Sequence, residues 1–182
     1  MAGVIARVPG RGAPEVSLAQ ATIDTPIGRL GLLATEKGLV RVAFEGEPLE
    51  LALSQAAARL GAVAVDRPAR LDPAKRQLDQ YFGRDRRVFD LKLDLRLVRG
   101  FTLAVVKHLN TLPYGRTVSY GQVAQAVGRP GAARAVGQAC GANPVPVVVP
   151  CHRIIRAGGS LGGFGGGLDV KTALLALEGV LT

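Results

Sequence analysis

The run Asn143-Pro144-Val145-Pro146-Val147-Val148-Val149, closed by Pro150-Cys151-His152-Arg153, constrains this chain more than any other stretch. A β-branched segment that stops at a proline and then presents a cysteine reads as a strand delivering one thiol to a fixed point. The chain has two cysteines and two histidines among 182 residues, and one of each forms this adjacent pair. A thiolate is the strongest nucleophile a side chain offers at neutral pH, provided a basic or cationic neighbour lowers the thiol pKa from about 8.5. His152 and Arg153 are such neighbours in sequence. A buried structural cysteine ahead of a turn fits the tetrapeptide equally well, because free cysteine is among the most buried residue types.

The rest of the composition narrows the class. An apolar content of 48% supplies a real core, and aromatics at 4% with no tryptophan leave packing to Leu, Val and Ala. No apolar run approaches the ~20 residues that span a bilayer. Residues 1–19, with Gly, Pro, Arg7 and Arg11, read as a flexible tail without the apolar stretch of a signal peptide. Two cysteines make no disulfide framework, which points to a reducing cytoplasm. Cys140, Cys151, His108 and His152 lack the paired spacings of zinc modules, so no metal is expected. The net charge of +9 suggests a polyanionic partner or an unspecific basic surface. Residues 98–182 carry 8 Lys+Arg against 2 Asp+Glu, so the cysteine lies in the more basic half.

Residues 21–44 read as strands broken by turns at Thr25-Pro26-Ile27-Gly28 and Glu36-Lys37-Gly38. An Ala/Leu-rich helix over 50–60 follows, then a helix with Asp72 as N-cap and Pro73 at its first position. Residues 88–95 alternate apolar and polar residues and read as a return to the sheet. This half, 20–97, is a small α/β domain without a catalytic cluster. The second half, 98–182, opens with a helix over 101–110, where His108 reads as a flanking residue. Ser119-Tyr120-Gly121-Gln122 is a capping box opening a short helix, and a second helix runs over 132–142 beyond Gly128-Arg129-Pro130-Gly131. Two short helices around such a turn form a helix-turn-helix.

The second helix has an unusual pattern. Ala132, Ala135, Val136, Ala139 and Cys140 form its core stripe, which puts Cys140 inside and inert. The opposite stripe is Ala133, Arg134, Gly137, Gln138 and Gly141. Glycine on an exposed helix face costs roughly 1 kcal/mol against alanine. A face stripped to backbone, with Arg134 protruding, suits either the ~6 Å minor groove of B-DNA or close helix–helix packing.

Together these residues resemble the O6-alkylguanine-DNA alkyltransferases (methylated-DNA–protein-cysteine methyltransferases). The likeness runs through Pro113-Tyr114-Gly115, Val118-Ser119-Tyr120, Ala133-Arg134-Ala135-Val136-Gly137, Asn143-Pro144-Val145-Pro146, Pro150-Cys151-His152-Arg153-Ile154-Ile155, Gly166-Gly167-Leu168 with Lys171, and Leu174-Leu175 with Glu178-Gly179. Thr25-Pro26-Ile27-Gly28 and Gln77-Leu78-Asp79-Gln80-Tyr81-Phe82 extend it weakly into the first half. The resemblance implies an α+β chain with a ribonuclease-H-like N-terminal domain and a mostly helical, winged-helix-like C-terminal domain. It implies Cys151 as the alkyl acceptor, His152 as the base acting through a water, Glu178 as the group orienting that imidazole, and Asn143 as the brace of the cysteine turn. Tyr120 would donate toward the departing purine and also touch DNA. Arg134, with Ala133, Ala135 and Gly137, would face the minor groove, Arg134 filling the stack left by an extruded base. Pro146, Ile154, Gly158, Phe164, Gly165 and Gly166 would line the pocket. Phe164 stands where the family often has Tyr, and Gly165 where it often has Ser.

The implied function is single-use direct repair of O6-alkylguanine in double-stranded DNA, without a cofactor, with O4-alkylthymine left open as a second substrate. A cytoplasmic monomer is expected, associated with the nucleoid when on DNA, with cooperative binding left open. A major-groove regulator would need a polar recognition helix. A Cys-His hydrolase would need a distant histidine, and His108 has no motif around it. A non-catalytic relative would have replaced Cys151.

Overall fold

The computed structural model describes residues 16–181. It is mixed α/β, with a sheet in the N-terminal half and helices in the C-terminal half. The part of the proposed tail before Val16 lies outside the described residues; its end at residues 16–19 already belongs to the first strand. No helix among the described residues is long and apolar enough to cross a membrane.

Strands β1 (Val16–Thr25), β2 (Gly28–Thr35) and β3 (Gly38–Ala43) form an antiparallel meander whose turns fall where Gly28 and Gly38 allow them. Helix α1 (Leu49–Leu60) returns the chain so that β4 (Ala62–Ala64) pairs parallel to β1, giving the order β3-β2-β1-β4. Side chains alternate across the pleat. Leu18, Leu33, Val40 and Ala43 pack with Ala52 and Ala56 of α1. Ala19, Leu30, Leu32, Leu39 and Val42 face a second cluster that continues into the C-terminal half as far as Leu174. The sheet is therefore covered on both faces.

Two sequence expectations for the N-terminal half need correction. Helix α2 (Asp72–Phe82) is entered through a 3-10 turn at Pro68–Leu71, so Leu71 holds the cap position and no side chain caps the helix. Leu71 is wholly buried, and that anchorage supplants the cap expected from Asp72. Residues 88–95 do not form a strand. They touch the sheet through one isolated bridge, Leu39 with Leu93, closed by Leu39 N–H to Lys92 O (2.9 Å) and Asp94 N–H to Leu39 O (2.8 Å). Asp94 then turns inward to accept from Thr35 (2.6 Å) and Arg96 (2.8 Å), which ends the pairing.

Helix α3 (Gly100–Leu109) leads to β5 (Val118–Ser119), α4 (Tyr120–Ala126) and α5 (Ala133–Gly141). The capping box forms as expected: Gln122 N–H donates to Ser119 Oγ (3.2 Å), and Ser119 N–H to Gln122 Oε1 (2.7 Å).

The apolar run that ends in the cysteine is not a strand. Val147 stands at φ +72, and Val149 N–H bonds back to Val145 O (2.9 Å), so the segment folds into a tight turn. Residues 143–150 are all buried. Asn143 staples the turn, its Oδ1 accepting from Val145 N–H (3.1 Å) and its Nδ2 donating to Val149 O (2.9 Å). From the sheet, Val42 N–H donates to Pro144 O (2.8 Å). β-Branched composition here reports burial and not strand pairing. A β-branched residue at positive φ costs roughly 1–3 kcal/mol, so the surrounding packing must hold Val147 there.

β6 (Ile154–Ile155) then pairs parallel with β5, Val118 opposite Ile154 and Ser119 opposite Ile155. That parallel register carries the residue after β5, Tyr120, alongside the residue after β6, Arg156, and sets Cys151 to Arg153 beside residues 115–117. Helix α6 (Leu168–Leu177) closes the chain.

Gly38 offers a check on this packing. At φ +141, a Cβ there would stand 2.1 Å from Lys92 O, a backbone atom. Gly38→Ala is expected to lower stability by roughly 1–3 kcal/mol in urea unfolding. Gly46→Ala, where nothing lies within 4 Å, should leave it unchanged within about 0.5 kcal/mol.

Candidate active site

Cys151, His152 and Arg153 occupy a 3-10 turn directly after the Asn143 staple. All three are buried, His152 completely. Asn143 Nδ2 reaches Cys151 Sγ at 3.2 Å, so the amide that shapes the turn also touches the nucleophile.

Behind the cysteine, Glu178 collects donors from four residues in three parts of the chain. Its Oε1 accepts from His152 Nε2, from Arg153 Nη2 and from the Tyr81 hydroxyl, each at 2.8 Å. Its Oε2 accepts from Arg153 Nε (2.9 Å) and Gly115 N–H (3.1 Å). Burial alone would raise the Glu178 pKa, but the hydrogen bonds from His152 and Arg153 outweigh it and hold the carboxyl well below the usual range. An ionised carboxylate only accepts, so Nε2 carries the imidazole proton. The lone pair then sits on Nδ1, which is buried and has no hydrogen-bond partner among the described residues. Burial also lowers the His152 pKa, against the pull of Glu178, so the ring is neutral near pH 7 and able to take a proton.

The cysteine differs from its sequence reading. Burial raises the Cys151 pKa, with Asn143 and Lys171 acting in the opposite direction. Arg153 does not serve the thiol: its guanidinium is spent on Glu178 and on Leu112 O (2.5 Å). The resting group is a thiol, and the proton must leave during the reaction.

Tyr120, Gly137, Cys140, Gly141, Cys151, Gly163, Phe164 and Gly165 line a cavity of about 360 Å³. A second, of about 290 Å³, shares Cys140, Gly141, Cys151, Phe164 and Gly165 and extends to Pro146, Phe44 and Arg41. A larger hollow of about 620 Å³ between Arg59 and Lys107 holds no nucleophile. A Cβ on Gly162 would stand 2.8 Å from the Tyr120 hydroxyl, and Gly162 has φ +70, so only glycine lets that loop back onto the ring. Burial raises the Tyr120 pKa, which keeps it a proton donor. Phe164 meets His152 edge-on with centroids 6.5 Å apart, and Phe44 at 5.5 Å.

Some expected site residues lie elsewhere. Ile154 is fully buried, and its carbonyl accepts from Lys171 Nζ (2.6 Å) without lining either cavity. Gly158 is exposed and lines neither cavity. Gly166 packs on the Phe44 ring, where an added Cβ would stand 3.0 Å from the ring carbons, and it too lines neither cavity. On α5, Arg134, Gln138 and Gly141 are exposed as expected, while Ala133, Ala135 and Gly137 are half-buried. Gly137 faces Tyr120, where its missing side chain leaves room for the ring. Cys140 is half-buried and lines the cavity beside Cys151; burial, its main influence, pushes its pKa up to about 12.

Sequence reasoning gave no role to Tyr81 or Lys171, and it paired Arg153 with the thiol instead of Glu178. Lys171 is wholly buried and also donates to Leu161 O. It lies one turn before Leu174 and Leu175 on the core side of α6, and a lysine on an apolar stripe was the available signal.

A buried thiol beside a neutral, carboxylate-oriented imidazole, facing a cavity next to a helix that exposes Arg134, is the arrangement of a cysteine that accepts a group from a substrate. Comparison with known proteins agrees. The family model "6-O-methylguanine DNA methyltransferase, DNA binding domain" matches residues 100–180, and its ribonuclease-like domain matches residues 18–95. The methylated-DNA–protein-cysteine methyltransferase of Mycolicibacterium paratuberculosis is 45% identical, covering 86% of this chain and 90% of its own. The inducible enzyme of Bacillus subtilis is 40% identical over 81% of this chain and 82% of its own. The crystal structure of Mycobacterium tuberculosis OGT in complex with DNA superposes with a TM-score of 0.77 at 41% identity, covering 88% of this chain and 93% of that one. The chain belongs to the methylated-DNA–protein-cysteine methyltransferases, enzymes of DNA alkyl repair.

The electrostatics of this site predict an acid-sensitive fold. His152 has a lowered pKa, so below about 6.5 the unfolded chain binds a proton that the folded one refuses, and stability falls as pH drops. Glu178, also lowered, adds stability that is complete above about 4.3 and is lost as pH falls toward its folded value. Urea unfolding at stepped pH should show both losses in the same direction. Arg153→Ala strands a buried carboxylate and is expected to cost about 3–5 kcal/mol at pH 7. A loss under about 1 kcal/mol would mean that Glu178 is held in another way.

Proposed function

We propose that Cys151 takes the alkyl group of O6-alkylguanine, and of O4-alkylthymine, in duplex DNA and keeps it. The observation that carries this reading is the unpartnered Nδ1 of His152, which stands on the turn that holds Cys151 while Nε2 is fixed on Glu178. The Cys151 proton passes to Nδ1 through a water, the sulfur attacks the alkyl carbon, and the C–O6 bond breaks as the S–C bond forms. The electron pair goes to the purine, toward which Tyr120 donates its hydroxyl proton, so guanine leaves without full anionic charge. Glu178 stabilises the imidazolium that results. The product is a thioether, and no neighbouring group can cleave it. Each molecule therefore acts once, without a cofactor.

The alkyl group of a paired base is inside the stack, so the nucleotide must be extruded, at a few kcal/mol for a poorly paired base. In this reading α4 and α5 act as the helix-turn-helix of a winged-helix-like domain, with the small residues of α5 in the minor groove. Exposed Arg134 fills the vacated stack. The ~360 Å³ beside Cys151 falls in the usual range for a small-ligand pocket. Pro146, Phe164 and Gly165 flank the alkyl group, and Asn143 keeps the sulfur in line. The protein works as a cytoplasmic monomer on the nucleoid.

Mass spectrometry after incubation with a duplex containing O6-methylguanine is expected to find one methyl group on the Cys151 peptide, saturating at one equivalent. Repaired DNA beside unmodified protein would refute the acceptor mechanism. Cys151→Ser should bind the duplex and transfer nothing, with binding that weakens as salt rises. Arg134→Ala is expected to slow duplex repair about tenfold or more, in keeping with a cost of extrusion of a few kcal/mol. Reaction with free O6-benzylguanine should stay near the wild-type rate; equal slowing of both would remove Arg134 from extrusion.

A further inference from the structure

The segment Gln77-Leu78-Asp79-Gln80-Tyr81-Phe82 has no part in the steps above, yet it sends one side chain into the centre of the site. We propose that Tyr81 is a positioning residue that sets the base strength of His152, by sharing the Glu178 oxygen that the imidazole faces. The inference rests on the reading of Cys151 and His152 given above.

Tyr81 comes from α2, in the N-terminal half, and its hydroxyl meets Glu178 Oε1 at 2.8 Å. The ring is fully buried and cannot swing aside: Phe82 and Phe89 pack on it with centroids at 5.2 Å, and Tyr114 at 6.1 Å. Of the three donors on Oε1, Arg153 is charged and His152 is the group being tuned, so Tyr81 is the one neutral donor besides the imidazole itself. A hydroxyl in this position draws negative charge away from the face that supports the imidazolium. It thereby weakens the pull of Glu178 on the proton. The other titratable or charged groups acting on His152 and Tyr81 are Arg153 on the cysteine turn, Lys171 on α6 and Tyr114. Burial and the nearby carboxylate push the Tyr81 pKa far above its usual value, so it donates at every working pH. By this route the N-terminal half, which carries no reacting atom, takes part in the chemistry of the C-terminal half.

The test is the single-turnover rate of alkyl transfer from free O6-benzylguanine between pH 5 and 9, which needs no DNA contact. Tyr81→Phe removes one oxygen atom and concentrates charge on Glu178. Its acid limb is expected to move up by as much as about one pH unit, for a bond to a charged group. Below the limb the rate should fall up to about tenfold, while the alkaline plateau is kept. Replacing Tyr81 alone with 3-fluorotyrosine, a stronger donor, should move the limb the other way. The chain has two histidines, so ring resonances of His152 can be followed directly through the same titration. Opposite shifts in the two variants support the role, because a packing defect cannot reverse sign. Unmoved limbs with only a lower melting temperature overturn it. Should Tyr81→Phe fail to fold, an unmoved limb in the fluorotyrosine protein overturns it equally. If the wild-type protein loads no benzyl group on Cys151, the acceptor reading itself is wrong and this inference falls with it.

Discussion

A carboxylate with almost no access to water has to be satisfied by the protein alone, and Glu178 is that carboxylate. Five hydrogen bonds converge on it, from α2, from the turn at Gly115 and from the cysteine turn. Each donor brings its own element into register, so one charge organises the junction of the chain's two halves. The apolar core is continuous across the same junction, from Ala19 to Leu174. Burial supplies the cohesion, and the carboxylate supplies the direction. A purely apolar contact could slide by an ångström at little cost, whereas this constellation cannot without stranding a charge.

The second constraint is the turn over residues 143–150. It must end with a sulfur pointing into a cavity, and it does so by holding Val147 in a conformation that valine avoids. Asn143 makes this tolerable, since its amide occupies both backbone ends of the turn and then reaches Sγ. Shape and reactivity are therefore coupled through one side chain: whatever loosens the staple also misplaces the thiol. Lys171 plays a comparable part from the other side, tying Ile154 O to the loop at Leu161 while its charge favours the thiolate.

Much of this could be read from the amino-acid order, and the misses have physical causes. The hairpin turns at Gly28 and Gly38 and the Ser119–Gln122 box are local, so short-range chemistry announces them. The Val-rich run before the cysteine misled because β-branched residues mark both strands and buried turns, and periodicity cannot separate the two in so short a piece. Asp72 and Pro73 carry the signature of a helix start, but burial of Leu71 moved the boundary. Cys151 and His152 stood out as an adjacent pair in the sequence itself, Glu178 and Asn143 came through resemblance to a family, and the geometry brings all four together. Tyr81 was out of reach, since its partner lies 97 positions away and nothing local to α2 demands a carboxylate. Arg153 was noticed for the wrong reason: adjacency to Cys151 in sequence suggested a thiol partner, whereas a 3-10 turn sends successive side chains in different directions.

A nucleophile with a raised pKa looks poorly suited to attack, yet for the single-use acceptor proposed above the arrangement is coherent. An exposed, low-pKa thiolate would react with any electrophile or oxidant and be spent without repair. Burial keeps Cys151 protonated and covered, and the base that could activate it is neutral and shielded by Phe164. Activation then depends on a substrate filling the cavity, excluding solvent and aligning its carbon with the sulfur. The same desolvation that disfavours the resting thiolate strengthens every hydrogen bond at Glu178 when positive charge appears on His152. In the proposed reaction, selectivity for the alkyl donor would follow from keeping the free thiol protonated and covered, and the buried carboxylate is what allows that without losing the base.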